Sequence, residues 1–295
     1  MTKIFLVDVH SFGISSQTQI LLLLSKGVNE KLMKRHILLI IIAIAIYLVW
    51  IFATYLFEGR INLLHREDPL GRFEYSVIVN MIIGTVIAIL AIKPSITASG
   101  PLSLSQIGFR SVKNTVVLVT VAGTMGFLLF VIQGPASLNP IVISNVFSQT
   151  LPTSVAEVVV CWAVIGASME SFSKNKFGKK LSVIVGIIAS TVLFGVYHSA
   201  HSEPFNQINM VMILMLPGLL TSIVYFVGRN IYATIVFHNF QALFGVVASV
   251  EIERMLQVQF PVVLLAVVSV LVLIIMDRFI LRKKSDSISG WKVNR

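Results

Sequence analysis

Long apolar segments, each close to the thickness of a bilayer, recur along almost the whole chain and limit what it can fold into. A transmembrane helix needs about 20 consecutive apolar residues, whereas a transmembrane barrel shows alternating segments of about 10 residues. The pattern therefore predicts an all-α, polytopic integral membrane protein with about eight transmembrane helices. The eight apolar segments are residues 37–57, 75–92, 115–133, 153–173, 181–200, 208–227, 231–250 and 260–280.

Composition excludes most soluble classes of protein. Only 12% of the 295 residues are charged and 56% are hydrophobic, whereas soluble domains carry about 25% charged residues. The single cysteine, Cys161, excludes an internal disulfide and a thiolate metal cluster. The sequence also lacks the zincin, serine and aspartyl protease signatures and the glycine-rich loops that bind phosphate.

The lysines and arginines are sorted between alternate loops. If the N-terminus lies inside, 19 of the 23 basic residues fall in inside segments and 4 in outside loops. Positive charge concentrates on the cytoplasmic side of membrane proteins. The distribution therefore predicts that both termini are cytoplasmic, and it explains the net charge of +10 without nucleic acid as a partner.

Three regions follow from this topology. Residues 1–36 form a cytoplasmic N-terminal segment, residues 37–281 the transmembrane domain, and residues 282–295 a basic cytoplasmic tail. From Met33 the chain reads MKRHILLIII, a basic start that runs straight into the first span. We hypothesise that Met33 is the natural start; the alternative is a real cytoplasmic tail before it.

Few ionisable residues lie in the apolar segments, and all belong to the C-terminal half. Each costs at least about 2.5–3.5 kcal/mol to insert, so those present indicate function or paired burial. Asn80 is a polar exception among the first three spans. The ionisable set is Glu157, Glu170, His198, His201 and His238.

These residues have different contexts. Glu157 follows Pro152 by five residues and falls in the first turns of the fourth predicted span; a water-facing interfacial position is the alternative. His198 and His201 can share one helix face, but His201 precedes Ser-Glu-Pro and is interpreted as a helix end. His238 lies eight residues into an apolar run, where a histidine that only packs against another helix is the alternative.

A carboxylate and two histidines from separate helices form a useful chemical set. A glutamate can take a proton from water, while histidines can orient that water, stabilise an oxyanion or bind a metal. His198 and His238 are the expected ligands if a divalent metal such as zinc is used.

The order of these residues resembles the CPBP family, also called Abi or type II CAAX prenyl protease-like intramembrane proteases. The family has eight transmembrane helices, a Glu-Glu-x-x-x-Arg motif, a Phe-x-x-x-His motif and a His-x-x-x-Asn motif. Residues 194–198 (FGVYH) fit the second motif, His238 fits the third, and residues 105–110 (SQIGFR) look like a loop found before the third span. The resemblance covers about residues 150–245 and implies that Glu157, His198 and His238 are catalytic.

The first motif can be aligned in two ways. In the favoured alignment Glu157 is the leading glutamate, Val158 replaces the second glutamate and Trp162 replaces the arginine. In the other alignment Glu170 is the second glutamate; otherwise Glu170 is interpreted as a loop-charge residue. In the third motif Ala242 stands where the family often has asparagine, and Asn239 is a nearby amide.

One distance opposes the catalytic hypothesis. The predicted span boundaries place Glu157 and His238 about 12 Å apart in depth, given a rise of 1.5 Å per residue and a core of about 30 Å. A shared site requires tilt, a broken helix or a different boundary.

The functional hypothesis is an intramembrane endopeptidase that acts on a membrane-associated or prenylated peptide within the lipid bilayer of the cell membrane. Glu157 would activate water, and His198 and His238 would orient it. One alternative is a catalytically impaired protein of the same fold that serves bacteriocin self-immunity or partner binding. A small transporter is the lesser alternative, suggested by the predicted kink at Pro217-Gly218.

Overall fold

The structure, a computed structural model, describes residues 16–61, 69–96, 100–247 and 251–282. These residues are overwhelmingly helical and form no strand, so the predicted all-α membrane fold is confirmed. The α-helices are α1 (Ser16–Thr54), α2 (Pro69–Glu74), α3 (Ala88–Ile92), α4 (Val112–Ile132), α5 (Pro140–Glu157), α6 (Ala167–Tyr197), α7 (Ile208–Gly228), α8 (Ile231–Val247) and α9 (Phe260–Ile275).

Wider π-helical turns extend several of these helices without interrupting them. They follow α1, α2, α5 and α9, and the third one continues α5 directly into α6. Such turns inside helices are frequent at functional sites. The π-helical stretches are Tyr55–Arg60, Tyr75–Ile87, Val158–Gly166 and Met276–Leu281.

Among the described residues, six helices are long and apolar enough to cross a membrane, which identifies a multi-pass membrane protein. One of them, Pro140–Ala200, has 61 residues, but Gly178 divides it with a left-handed backbone (φ 73°). Ile231–Val247 is a shorter apolar helix. The count of eight spans and the cytoplasmic location of both termini remain predictions.

The proposed N-terminal boundary is not marked by a break in the structure. Helix α1 runs without interruption from Ser16 to Thr54, past Met33. Residues 1–15 and the basic tail from residue 283 onward lie outside the described residues. The start at Met33 therefore stays a hypothesis, as do the three region boundaries.

The predicted start of the fourth span was wrong. Helix α5 begins at Pro140, where the Asn139 side chain caps it by accepting a hydrogen bond from the Ile141 amide at 2.9 Å. Pro152 lies inside the helix and does not begin it. At 1.5 Å per residue, Glu157 is about 26 Å along α5 from its first residue and not in its first turns.

Polar and apolar side chains are distributed as expected for helices in lipid. Large apolar side chains such as Phe52 and Ile213 are exposed on the outside of the bundle, at 60% and 62%. The π-helical stretch after α5 is buried along its whole length, in the middle of the main core cluster. This arrangement brings Glu157, at the end of α5, into the centre of the protein.

Small residues allow α6 and α7 to pack closely. A Cβ atom added to Gly186 would lie 2.5 Å from the ring of Phe226 and 3.0 Å from the carbonyl oxygen of Gly166. The first contact is shorter than real Cβ atoms show, and the second, to backbone, is tighter than most Cβ contacts. The crossing therefore depends on a residue without a side chain at position 186.

Gly186→Val should lower the free energy of unfolding by about 1–3 kcal/mol, because the added methyl groups overpack the crossing. Thermal unfolding in detergent micelles measures this. Gly245→Ala is the matched control, since nothing lies within 4 Å of a Cβ at that position. Equal melting temperatures for the two variants would show that the close packing at Gly186 is not needed.

Candidate active site

Glu157 lies between two histidines in the core of the bundle. Its Oε2 atom is 2.8 Å from His238 Nε2, and its Oε1 atom is 3.8 Å from His198 Nε2. The carboxylate comes from the end of α5, His238 from α8, and His198 from the turn that ends α6. The structure thus brings together the three residues for which the sequence predicts catalytic roles.

The corrected start of α5 removes the predicted difference in depth between Glu157 and His238. Helix α8 packs along α5, and the side chains of Glu157 and His238 meet directly. The 12 Å separation was wrong because the helix begins 13 residues earlier than the apolar segment at residue 153 suggested.

Hydrogen bonds on both sides of His238 fix its orientation. The Thr221 hydroxyl, on α7, lies 3.0 Å from Nδ1, and Glu157 lies 2.8 Å from Nε2. A carboxylate only accepts hydrogen bonds. Neutral His238 therefore places its proton on Nε2 and donates it to Glu157, while Nδ1 accepts from Thr221.

His198 has the opposite tautomer. Its Nδ1 atom is 2.9 Å from the backbone carbonyl oxygen of Phe194, which can only accept, so this nitrogen carries the proton. The Nε2 lone pair of the neutral ring then faces Glu157 Oε1. The Phe194 ring packs against both imidazoles, with centroids 4.7 Å from His198 and 5.1 Å from His238.

The three side chains differ in their access to the outside. Those of Glu157 and His238 are 5% and 2% exposed, and that of His198 is 10% exposed. Removal from water strengthens electrostatic interactions among them. His198 forms the more accessible edge of this site.

His201 lies at a helix end, as the sequence predicts, because the helical turn that follows α6 stops at Ala200. The histidine is buried, its ring stacks on His198 with centroids 5.2 Å apart, and its Nε2 atom is 3.4 Å from the Tyr75 hydroxyl. The residue follows the span that ends at Ala200. Burial lowers the pKa of its imidazole well below the usual value, so His201 supports the site as a neutral ring.

Asn239 lies next to His238 in sequence but is used in helix packing. Its side-chain oxygen accepts from Thr150 and Ser154 at 2.8 Å each, and its nitrogen donates to the Phe147 carbonyl at 2.9 Å. All these partners belong to α5. The amide is therefore committed to holding α8 against α5 and does not take the place of an asparagine at Ala242.

Glu170 is a buried structural residue and not a loop charge, so that interpretation was wrong. Arg229, at the end of α7, binds both of its carboxylate oxygens, at 2.5 and 2.7 Å. Arg229 has a left-handed backbone (φ 49°), and its carbonyl accepts from Arg110 at 2.9 Å. Because both oxygens are occupied by one guanidinium, Glu170 has little capacity to activate water.

Several buried polar residues were missed by the sequence. Thr221 gave no signal, because a threonine in an apolar helix is common. Glu58 and Asp277 are fully buried. Glu58 directly follows the first predicted span, and Asp277 lies within the last one. Asp277 binds Arg282 at 2.8 Å, whereas Glu58 accepts from Ser202, next to His201, at 2.6 Å.

The arrangement of these residues does not fit a divalent metal such as zinc, which the sequence alone allows. Within the part of the chain that the structure describes, no three His, Cys, Asp or Glu side chains are grouped to hold a metal ion. Glu157 Oε2 and His238 Nε2, two of the expected donors, are bonded to each other at 2.8 Å. Zinc would have to break this hydrogen bond to use both donors.

Comparison with known proteins finds a family model that matches part of the chain. The family model described as Type II CAAX prenyl endopeptidase Rce1-like matches residues 154–244. The matched range contains Glu157, His198 and His238, so the predicted resemblance is confirmed over this part of the chain. No curated protein and no solved structure matches the chain.

Glu170→Gln should lower the free energy of unfolding by about 3 kcal/mol, because it leaves Arg229 without its buried carboxylate. Unfolding in detergent, followed by circular dichroism, measures the loss. Glu251→Gln is the control: Glu251 forms an exposed pair with Arg254, and such pairs contribute little. A stable Glu170→Gln protein would contradict the structural role.

Proposed function

We propose that the protein is an intramembrane endopeptidase that hydrolyses a peptide bond of a membrane-associated or prenylated peptide. The observation that carries this proposal is the buried carboxylate of Glu157 with His238 at 2.8 Å and His198 at 3.8 Å. The family match over residues 154–244 supports it independently.

The spacing of Glu157 and His198 suits a water molecule. Their facing atoms, Oε1 and Nε2, are 3.8 Å apart and both accept hydrogen bonds. A water displaced from the line between them can lie about 2.8 Å from each, within hydrogen-bond range. It would donate one hydrogen to each atom, which leaves its lone pairs free to attack a carbonyl carbon.

Glu157 then acts as general base and general acid. As the water oxygen bonds to the carbonyl carbon, Glu157 takes its proton and the carbonyl oxygen becomes an oxyanion. Glu157 passes the proton to the amide nitrogen as the carbon–nitrogen bond breaks. The products are a carboxylic acid and an amine, which exchange a proton to become a carboxylate and an ammonium group, so the reaction consumes one water and returns Glu157 to its starting form.

The two histidines are assigned different tasks. The Nε2–H group of His238 holds the carboxylate in place by donating a hydrogen bond to it at 2.8 Å. His198 orients the water through its Nε2 lone pair. These roles agree with the tautomers that Thr221 and Phe194 select.

An apolar groove in the surface of the bundle supports a lipid-bearing substrate. It has a volume of about 350 Å³ and lies between α1 and α6, lined by Ile44, Tyr47, Met169 and Leu193 among others. Its lining is apolar, and Leu193 adjoins Phe194, which contacts both histidines. An isoprenoid chain in this groove would place an attached peptide close to Glu157.

A non-catalytic role remains the second candidate, because of one substitution. Trp162 stands where the family motif has arginine; its Nε1 atom donates to Ser222 at 2.8 Å, and its ring centroid lies 5.2 Å from that of His238. An aromatic ring in this position adds packing but no positive charge. A partner-binding protein of the same fold would retain the structure but not cleave peptides.

Glu157→Gln should lower the cleavage rate by at least about 100-fold, because glutamine cannot accept the proton from water. Purified protein in liposomes is incubated with a farnesylated peptide, and mass spectrometry measures the released C-terminal fragment. Glu251→Gln, at an exposed position, should cleave like the unchanged protein. Full activity of Glu157→Gln refutes the assignment of the base, and an inactive unchanged protein favours the non-catalytic role.

Ile44→Trp should raise the KM for a farnesylated peptide about ten-fold, because the indole fills the groove from its exposed side, and ten-fold corresponds to about 1.4 kcal/mol of lost binding. The value of kcat should change little, since the groove does not contact the reacting atoms. Leu264→Trp, on the exposed surface of α9, is the control. An unchanged KM would show that the isoprenoid binds elsewhere.

A further inference from the structure

Two fully buried side chains near Glu157 each carry a polar atom without a partner. Trp50 Nε1 and Asn80 Oδ1 form no hydrogen bond with any residue that the structure describes. Both residues are 0% exposed. Buried polar atoms are nearly always hydrogen-bonded, so an exception calls for an explanation.

Trp50 reaches the site from α1. Its ring stacks on Tyr197, the residue before His198, with centroids 3.8 Å apart and planes 8° from parallel. A Cβ atom on Gly84 would lie 2.9 Å from Trp50 Nε1 and 2.6 Å from the Cβ of Ala156. The indole N–H group therefore lies where the π-helical extension of α2 meets α5, beside the residue that precedes Glu157.

Asn80 reaches the same place from the extension of α2. Its Nδ2 atom donates to the Thr153 hydroxyl at 3.0 Å, one helical turn before Glu157. Asn80 is also one turn from Gly84, on the same face of its helix. Turning the amide over would exchange oxygen and nitrogen but would still leave one polar atom of Asn80 without a partner.

The two atoms are complementary to a peptide group. An indole N–H only donates and an amide oxygen only accepts, whereas a peptide group offers one carbonyl oxygen and one N–H. A bound peptide could thus receive a hydrogen bond from Trp50 and donate one to Asn80. Both residues lie outside the range that the family model matches.

We propose that Trp50 and Asn80 bind the main chain of the peptide substrate and hold it beside Glu157. This rests on the proposed function, because it assigns the substrate's backbone to that same site. The peptide reaches the two atoms when α1 and the extension of α2 move apart from α5, since both atoms are buried between these helices. The substrate then provides the hydrogen-bond partners that these two atoms lack in the free protein.

The proposal predicts an unusual pair of effects for Trp50→Phe. Phenylalanine keeps an aromatic ring against Tyr197 but removes the unpaired N–H group together with part of the buried indole ring. Affinity for the peptide should fall roughly 3- to 10-fold, the effect of one lost hydrogen bond. The melting temperature should fall less than in a tryptophan variant that also loses a hydrogen bond, because Trp50→Phe loses packing but breaks no hydrogen bond of the free protein.

Trp162→Phe is the matched control for stability. Trp162 is also fully buried, but its Nε1 atom is hydrogen-bonded to Ser222 at 2.8 Å. Removing this N–H group leaves a partner unpaired, so Trp162→Phe should lower the melting temperature. Asn80→Leu is a second test of affinity and should weaken binding to a similar extent as Trp50→Phe.

The experiment measures binding without turnover. Each variant is combined with Glu157→Gln, and fluorescence anisotropy in nanodiscs gives its affinity for a fluorescent farnesylated peptide. Weaker binding by both Trp50→Phe and Asn80→Leu, with a smaller loss of stability for Trp50→Phe than for Trp162→Phe, supports the proposal. Unchanged affinity in both, or a drop in stability for Trp50→Phe like that of Trp162→Phe, overturns it; the latter would indicate a structural role or a buried water.

The two proposals fail in different ways. If the unchanged protein binds the peptide but does not cleave it, the proposed hydrolysis is wrong and the assignment of Trp50 and Asn80 is still decided by the affinities. If Glu157→Gln does not bind the peptide, the role of Trp50 and Asn80 in substrate binding is overturned.

Discussion

The hydrogen bond between Glu157 and His238 is the interaction around which the rest of the site is arranged. A carboxylate buried among membrane helices is costly unless it is bonded, because neither lipid nor apolar side chains can replace its water. The bond requires α5 and α8 to pack closely, and Thr221 on α7 then fixes the ring that donates it. This series of hydrogen-bonded side chains thereby holds α5, α7 and α8 together.

The two buried glutamates show how the partner decides what a carboxylate can do. Arg229 occupies both oxygens of Glu170 and stays charged under all ordinary conditions, which makes that pair a fixed link between α6 and the end of α7. Glu157 instead has one firmly bonded oxygen and one that faces an imidazole lone pair at 3.8 Å. The first arrangement stabilises the fold, and the second leaves capacity for a substrate water.

The N-terminal helices contribute more to this site than their apolar composition suggested. Trp50, Tyr75 and Asn80 lie against Tyr197, His201 and Thr153, so α1 and the extension of α2 form one side of the surroundings of Glu157. The family model matches none of these helices.

The sequence by itself determined the membrane class, the helical fold and the short set of ionisable residues from which a site could be built. Those properties follow from how each residue partitions between lipid and water, which can be judged one segment at a time. It did not determine which residues meet. Glu157 and His238 are 81 positions apart in the sequence. In addition, polar residues in the first turns of α5 obscured its start at Pro140, so the depth predicted for Glu157 was wrong. Only the packed structure decided that Glu157 meets two imidazoles and that Glu170 meets a guanidinium. Hydrogen bonds between helices depend on how the helices pack side by side and how each is rotated about its axis. The spacing of apolar residues along one helix does not specify either.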